Sequence, residues 1–213
     1  MIRIGLIDGA LAASLPGLAA QRAFCDPDGT PLAQKHATAM ATTVRSHEPQ
    51  THFVNAVVFP GGLSTTCRAL CDALEWLTID PPEVILCSFG MARSSVELCV
   101  LVARLQAAGS LIIASAPARG DPVFPAAFPD VLSVQGDARC QPGELSRLDL
   151  PHATFGACSE AIDAPDIRGA SAAAAHLAGH VASLLAEGEP DPAASLTSFI
   201  RYHGRERKQA VPA

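Results

Sequence analysis

The sequence is most restrictive in what it lacks. None of its 213 residues lies in a run of 18 or more that is apolar throughout and free of helix breakers, so the sequence offers no membrane-spanning helix. The first apolar run is only a few residues long before it meets Asp8, too short for the core of a secretory signal. There is no basic stripe. With 15 Lys and Arg against 21 Asp and Glu, the net charge is −6, which argues against a surface built to neutralise nucleic-acid phosphates. The one basic cluster, Arg201, Arg205, Arg207 and Lys208, reads as a solvated tail. Internal repeats, a linker and a second domain are absent as well. Seven cysteines, an odd number, do not make a disulfide framework; they fit reduced thiols and a cytoplasmic protein.

Complete cofactor and metal sites are missing too, and none is expected. Gly5 and Gly9 have the wrong spacing for a dinucleotide fingerprint, and an Asp follows the strand. Cys67 with Cys71 and His176 with His180 each offer two side chains one helical turn apart. The His pair lacks the Glu of a metalloprotease helix, so packing is the expected role of both pairs. Asp26, Asp28 and Gly29 hint at a calcium loop whose other ligands are not there.

What the chain does have is alternation. Apolar, often β-branched runs at 2–7, 52–59, 84–87, 111–114 and 131–134 predict strands bounded by Gly, Pro or Asp. Between them, helical spacing predicts helices over 37–47, 64–79 (capped by Ser64), 94–108 (ending at Gly109), 171–188 and 193–203. Residues 115–130 and 136–168 read as long loops. The expected fold is α/β, three layers, with a mostly parallel sheet covered by helices on both faces. A catalytic unit over 1–190 and a C-terminal helix with a tail over 191–213 complete the expected organisation.

Three segments carry the chemistry. Asp8 ends the first apolar run in Ile4-Gly5-Leu6-Ile7-Asp8-Gly9. His36 opens His36-Ala37-Thr38, and Ser171 follows two small residues in Gly169-Ala170-Ser171-Ala172-Ala173. A Ser can attack an acyl carbon, a His can take and return its proton, and an Asp can hold the imidazole in the right tautomer. Alone, each residue is ordinary: a turn Asp, a surface His, a helix-capping Ser.

In order and with their flanks, these segments resemble the subtilase family. Ile4 to Asp8 resembles the family's first-strand Asp motif, and His36-Ala37-Thr38 resembles its His-Gly-Thr. The stretch from Gly169 to Gly179, with His176-Leu177-Ala178-Gly179 at its end, resembles Gly-Thr-Ser-Met-Ala-x-Pro-His-Val-Ala-Gly. Ser88-Phe89-Gly90 resembles the family's substrate-pairing Ser-x-Gly, and Val123-Phe124-Pro125-Ala126 its Tyr-Pro-Ala loop. The resemblance covers roughly residues 2–187. It implies a compact subtilisin-like serine endopeptidase with Asp8, His36 and Ser171 catalytic, acting on a peptide or protein precursor. Residues 111–116 and 88–90 would line the substrate's side-chain pocket, with Ser88, Phe89, Gly90, Ala116 and Pro117 touching substrate.

One departure stands out. Where subtilases place an Asn whose amide steadies the oxyanion, length-preserving alignment puts Ala118, preceded by Pro117 instead of Gly. Neither side chain can donate a hydrogen bond. The resemblance narrows to compact intracellular subtilases without a folding prosegment that mature peptides, including those that remove the leader of a quinohemoprotein amine dehydrogenase subunit. The alternative reading is a subtilase scaffold that binds a peptide or chaperones a partner with little or no cleavage.

Overall fold

The computed structural model describes residues 1–28 and 30–205. The sequence expectations at Gly29 and over 206–213, including Arg207 and Lys208, lie outside the described residues. The strands are β1 (Arg3–Asp8), β2 (Leu18–Ala23), β3 (His52–Val57), β4 (Val84–Cys87), β5 (Leu111–Ser115), β6 (Leu132–Gly136), β7 (Leu145–Leu150), β8 (Ala153–Ala157), β9 (Glu160–Ala161), β10 (Ala164–Arg168) and β11 (Ile200–His203). The helices are α1 (Leu32–His47), α2 (Cys67–Leu77), α3 (Val96–Ala107), α4 (Ala170–Ala186) and the single turn α5 (Pro192–Ser195).

Nine strands form one sheet in the order β11-β7-β8-β6-β5-β4-β1-β3-β2. Every neighbouring pair is parallel except β7 with β8. This is the expected three-layer α/β fold. Period-two alternation divides β1 between two cores. Ile4 and Leu6 join Met40 and Val44 of α1 and the alanines of α4, while Ile7 joins Leu70 and Leu74 of α2 and Leu98 and Leu105 of α3. Helices therefore cover both faces, and the central strands must be apolar on both sides.

Helix starts follow hydrogen bonding more closely than spacing. Thr66, not Ser64, caps α2, its hydroxyl accepting from the Ala69 N–H at 3.1 Å. Ser95 caps α3 by accepting from Leu98 N–H at 3.1 Å. Helix α4 begins one residue before Ser171, after Gly169, whose φ of 119° lies where a side chain would be strained.

Two expectations change, and one strand falls where none was expected. Residues 136–168 are not a long loop: they hold β6's last residue, the β7–β8 hairpin and the β9–β10 pair. On β7 Arg147 and Asp149 alternate with Leu148 and Leu150, but the inward Ser146 breaks the apolar side and shortens the pattern. The helix expected over 193–203 is instead α5, a 3₁₀ turn over Leu196–Phe199, and strand β11. Asp191 and Pro192 start a helix well, but Ile200 and Tyr202 find partners in Leu145 and Ser146 and extend as a strand. Finally β2, exposed along most of its length, is a strand because it pairs with β3. No helix among the described residues is long and apolar enough to cross a membrane.

Candidate active site

Asp8 is the last residue of β1, at the carboxyl end of a central strand, where open α/β sheets gather their reactive groups. Its carboxylate has no solvent contact. A buried carboxylate needs donors, and this one has them on both oxygens. Oδ1 accepts from the Gly9 N–H at 2.7 Å, and both oxygens lie 2.9 Å from His36 Nδ1. The Ser88 hydroxyl donates to Oδ2 in a short contact.

His36 comes from the second turn of α1. Close approach of that helix to the end of β1 requires Gly9, because a methyl group built there would lie 2.3 Å from the Ala33 carbonyl oxygen. An ionised carboxylate only accepts, so His36 Nδ1 carries the proton and Nε2 is left as the basic nitrogen. His36 is 6% exposed and reaches a cleft of about 390 Å³. Its lining also includes Ser171, Ser88, Phe89, Gly90, Met91, Phe59 and Leu63.

Ser171 stands on the first turn of α4, where backbone N–H groups lack intrahelical acceptors and the helix dipole is positive. Its hydroxyl donates to the Ser88 carbonyl at 2.9 Å. Ser88 thus serves both ends of the arrangement: its hydroxyl holds Asp8 and its carbonyl holds the Ser171 hydroxyl. No local signal in the sequence marks that double role, since the residues are about eighty positions apart. Asn55 is another residue the sequence reading passes over. Its amide donates to the Gly9 carbonyl at 3.0 Å and to Gln21 Oε1 at 2.6 Å, holding the turn after Asp8.

The structure gathers Asp8, His36, Ser88, Phe89, Gly90 and Ser171 at one place. Ala116 and Pro117 lie apart from the cleft lining. Ala116 is buried, its N–H donating to Val134 of β6 at 2.8 Å. Ala118 is exposed and its carbonyl accepts from Arg205 Nη2 at 3.1 Å. The Ser115 hydroxyl, at the end of β5, is buried and has no hydrogen-bond partner among the described residues.

The cysteines do not rival Ser171. Cys87 directly precedes Ser88, but complete burial pushes its thiol up to about 12. Burial, with Cys67 beside it, likewise pushes Cys71 up to about 12. His176 and His180 pack against His47 on the helix layer instead of entering the cleft. Among the described residues no group of three or more His, Cys, Asp or Glu is placed to hold a metal ion.

Neither protein-family models nor curated proteins match this chain. Among solved structures, the chain is similar to the prenylagaramide maturation protease PagA, with a TM-score of 0.67 and 20% identity. The alignment covers 92% of this chain and 82% of that one. At that identity the likeness speaks to the fold.

Proposed function

We propose that this chain is a subtilisin-type serine endopeptidase that cleaves a peptide or protein precursor. The observation that carries the reading is the buried Asp8–His36 pair opening on a cleft that also holds Ser171 on the first turn of a helix. In this reading the Ser171 hydroxyl rotates from the Ser88 carbonyl towards His36 and gives its proton to Nε2 as Oγ attacks the scissile carbonyl. The oxyanion forms at the free N–H groups of α4's first turn. His36 then protonates the departing amine, and a water repeats the sequence to release the acyl group. Asp8 keeps its proton count throughout, fixing the tautomer and stabilising the imidazolium.

An extended substrate pairs its backbone with residues 88–90, as an added strand. The similar fold of a maturation protease supports a precursor as the substrate. The narrower assignment, leader removal from a quinohemoprotein amine dehydrogenase subunit, is supported by the seven cysteines and by Ala118 where alignment puts the subtilase oxyanion Asn. Ala118 makes the enzyme slow on generic proteins, because a lost side-chain oxyanion donor costs roughly 10²–10³ in rate. A well-matched precursor offsets that loss through binding remote from the scissile bond.

Two features favour the alternative, a peptide-binding module: Ala118 itself, and a resting Ser171 hydroxyl bonded to Ser88. A fluorophosphonate probe separates the readings. Labelling at Ser171 and nowhere else, lost in Ser171→Ala, is the expected result. No labelling of folded protein that still binds peptide would establish the binding module instead.

A further inference from the structure

Beyond their paired residues, β4 and β5 part. They run in register as far as Cys87 and Ala114. The chain after β5 then stays with β6, through the Ala116 N–H to Val134 bond, and its ladder with β4 does not continue past Cys87. Two parallel strands that diverge leave a slot between them. It opens beside Ser88, whose carbonyl holds the Ser171 hydroxyl. In an extended substrate, successive side chains point to opposite faces. On the acyl-transfer reading, with 88–90 and 111–116 lining the substrate's side-chain pocket, the residue whose carbonyl Ser171 attacks projects into this slot.

In this chain the slot is occupied. The loop after β5 returns across it, and Met91 and Phe124 exchange backbone hydrogen bonds of 2.7 and 2.8 Å. That bridge sets Val123 directly on Gly90. A methyl group built on Gly90 would lie 2.5 Å from Val123 Cγ2 and 2.9 Å from its Cβ. Val123 is also partly buried against the large apolar cluster of this face of the sheet, of which Ala116 is one member.

We propose that Val123 fills the slot for the side chain preceding the scissile bond, so that the enzyme cuts after small residues (Gly, Ala or Ser) and rejects large ones. The inference rests on the acyl-transfer reading above. It assigns specificity to a residue outside the Asp8, His36 and Ser171 constellation. Room for substrate side chains then lies mainly on the other side of 88–90, in the cleft against Phe59 and Leu63.

Three peptidyl aminophosphonate diphenyl esters test it, identical except for an Ala, Leu or Phe side chain on the carbon bearing phosphorus. In each, Ser171 Oγ forms a bond to phosphorus, phenoxide leaves, and it departs as phenol with the Ser171 proton relayed by His36. Intact mass follows the rate. The Ala ester should react with the wild-type chain at least about tenfold faster than the Leu or Phe ester, the scale on which one methylene is discriminated. Val123→Ala and Val123→Gly should each narrow that ratio. Equal or faster reaction of the Leu ester with wild type overturns the proposal, as does an unchanged ratio in both folded variants. In either case the acyl-transfer reading still stands. Reaction with none of the three, in a chain that a plain fluorophosphonate does label, also overturns the slot alone. Failure of the fluorophosphonate as well overturns both.

Discussion

At the scale of single residues, the site depends on who donates to whom. Asp8 can hold His36 in one tautomer because its carboxylate only accepts, with Gly9 and Ser88 satisfying its other lone pairs. Asp8→Asn keeps the shape but offers an amide N–H to His36 Nδ1. The imidazole proton then moves to Nε2, the nitrogen that in the proposed mechanism receives the Ser171 proton. Turnover and fluorophosphonate labelling of Ser171 should both fall on the order of 10³–10⁴, with circular dichroism unchanged. A loss below tenfold would mean that Asp8 does not set the tautomer. Asp8, His36 and Ser171 stand out in the sequence because each sits in a flanking pattern, and the structure brings the Asp8–His36 pair to the cleft that holds Ser171. Ser88's double role and Asn55's hold on Gly9 do not stand out, because hydrogen bonds between distant segments leave no local pattern.

At the scale of elements, strands buried on both faces were the easiest to read. Ile4, Leu6 and Ile7, or Val84 to Cys87, have nothing polar to confuse the assignment. Edge strands were the hardest. β2 runs Leu-Ala-Ala-Gln-Arg-Ala and is a strand only by virtue of β3, and β11 exchanged a helix-like composition for pairing with β7. Tertiary context overrode local propensity in both cases. Helix packing shows the reverse, where one residue type is obligatory. Helices α1 and α4 approach closely through the alanines of α4 and through Gly179. A methyl group built on Gly179 would lie 2.6 Å from His47 Cδ2 and 2.8 Å from its Cβ. Gly179→Ala should therefore destabilise the chain by about 1–3 kcal/mol through overpacking, read as a lowered urea midpoint. Gly143→Ala is the control, since a methyl group there meets nothing within 4 Å. If both variants unfold at the wild-type midpoint, the α1–α4 contact is looser than described.

Across the whole molecule, the interface between α1, α4 and the C-terminal turn is built on imidazoles. His47 Nε2 lies 2.8 Å from His176 Nδ1, and His176 Nε2 donates to the Glu160 carbonyl at 2.8 Å, which leaves His176 Nδ1 to accept from His47. The His180 ring stacks 4.3 Å from His47 and 4.2 Å from Phe199, and its Nε2 has no hydrogen-bond partner among the described residues. Burial, with the neighbouring imidazoles, holds His47 down to about 3. Burial likewise holds His180 down to about 4 and His176 below its usual range. In the unfolded chain these residues gain protons near pH 6.5. Between about pH 6.5 and 4 the unfolded state therefore binds more protons, and stability falls as pH falls, by up to about 1.4 kcal/mol per pH unit for each such proton. Their contribution is present in full above that window. Buried Asp137 acts outside it: burial alone would raise its carboxyl, but Arg139 and Ser146 hold it below the ordinary carboxylate range, so its contribution is lost only at lower pH. The urea midpoint should thus drop between pH 7 and pH 5. In His180→Phe, which keeps an aromatic ring between His47 and Phe199 and removes one titrating group, the drop should be smaller. An equal drop in both proteins would show that acid sensitivity arises elsewhere in the molecule, away from this three-histidine contact.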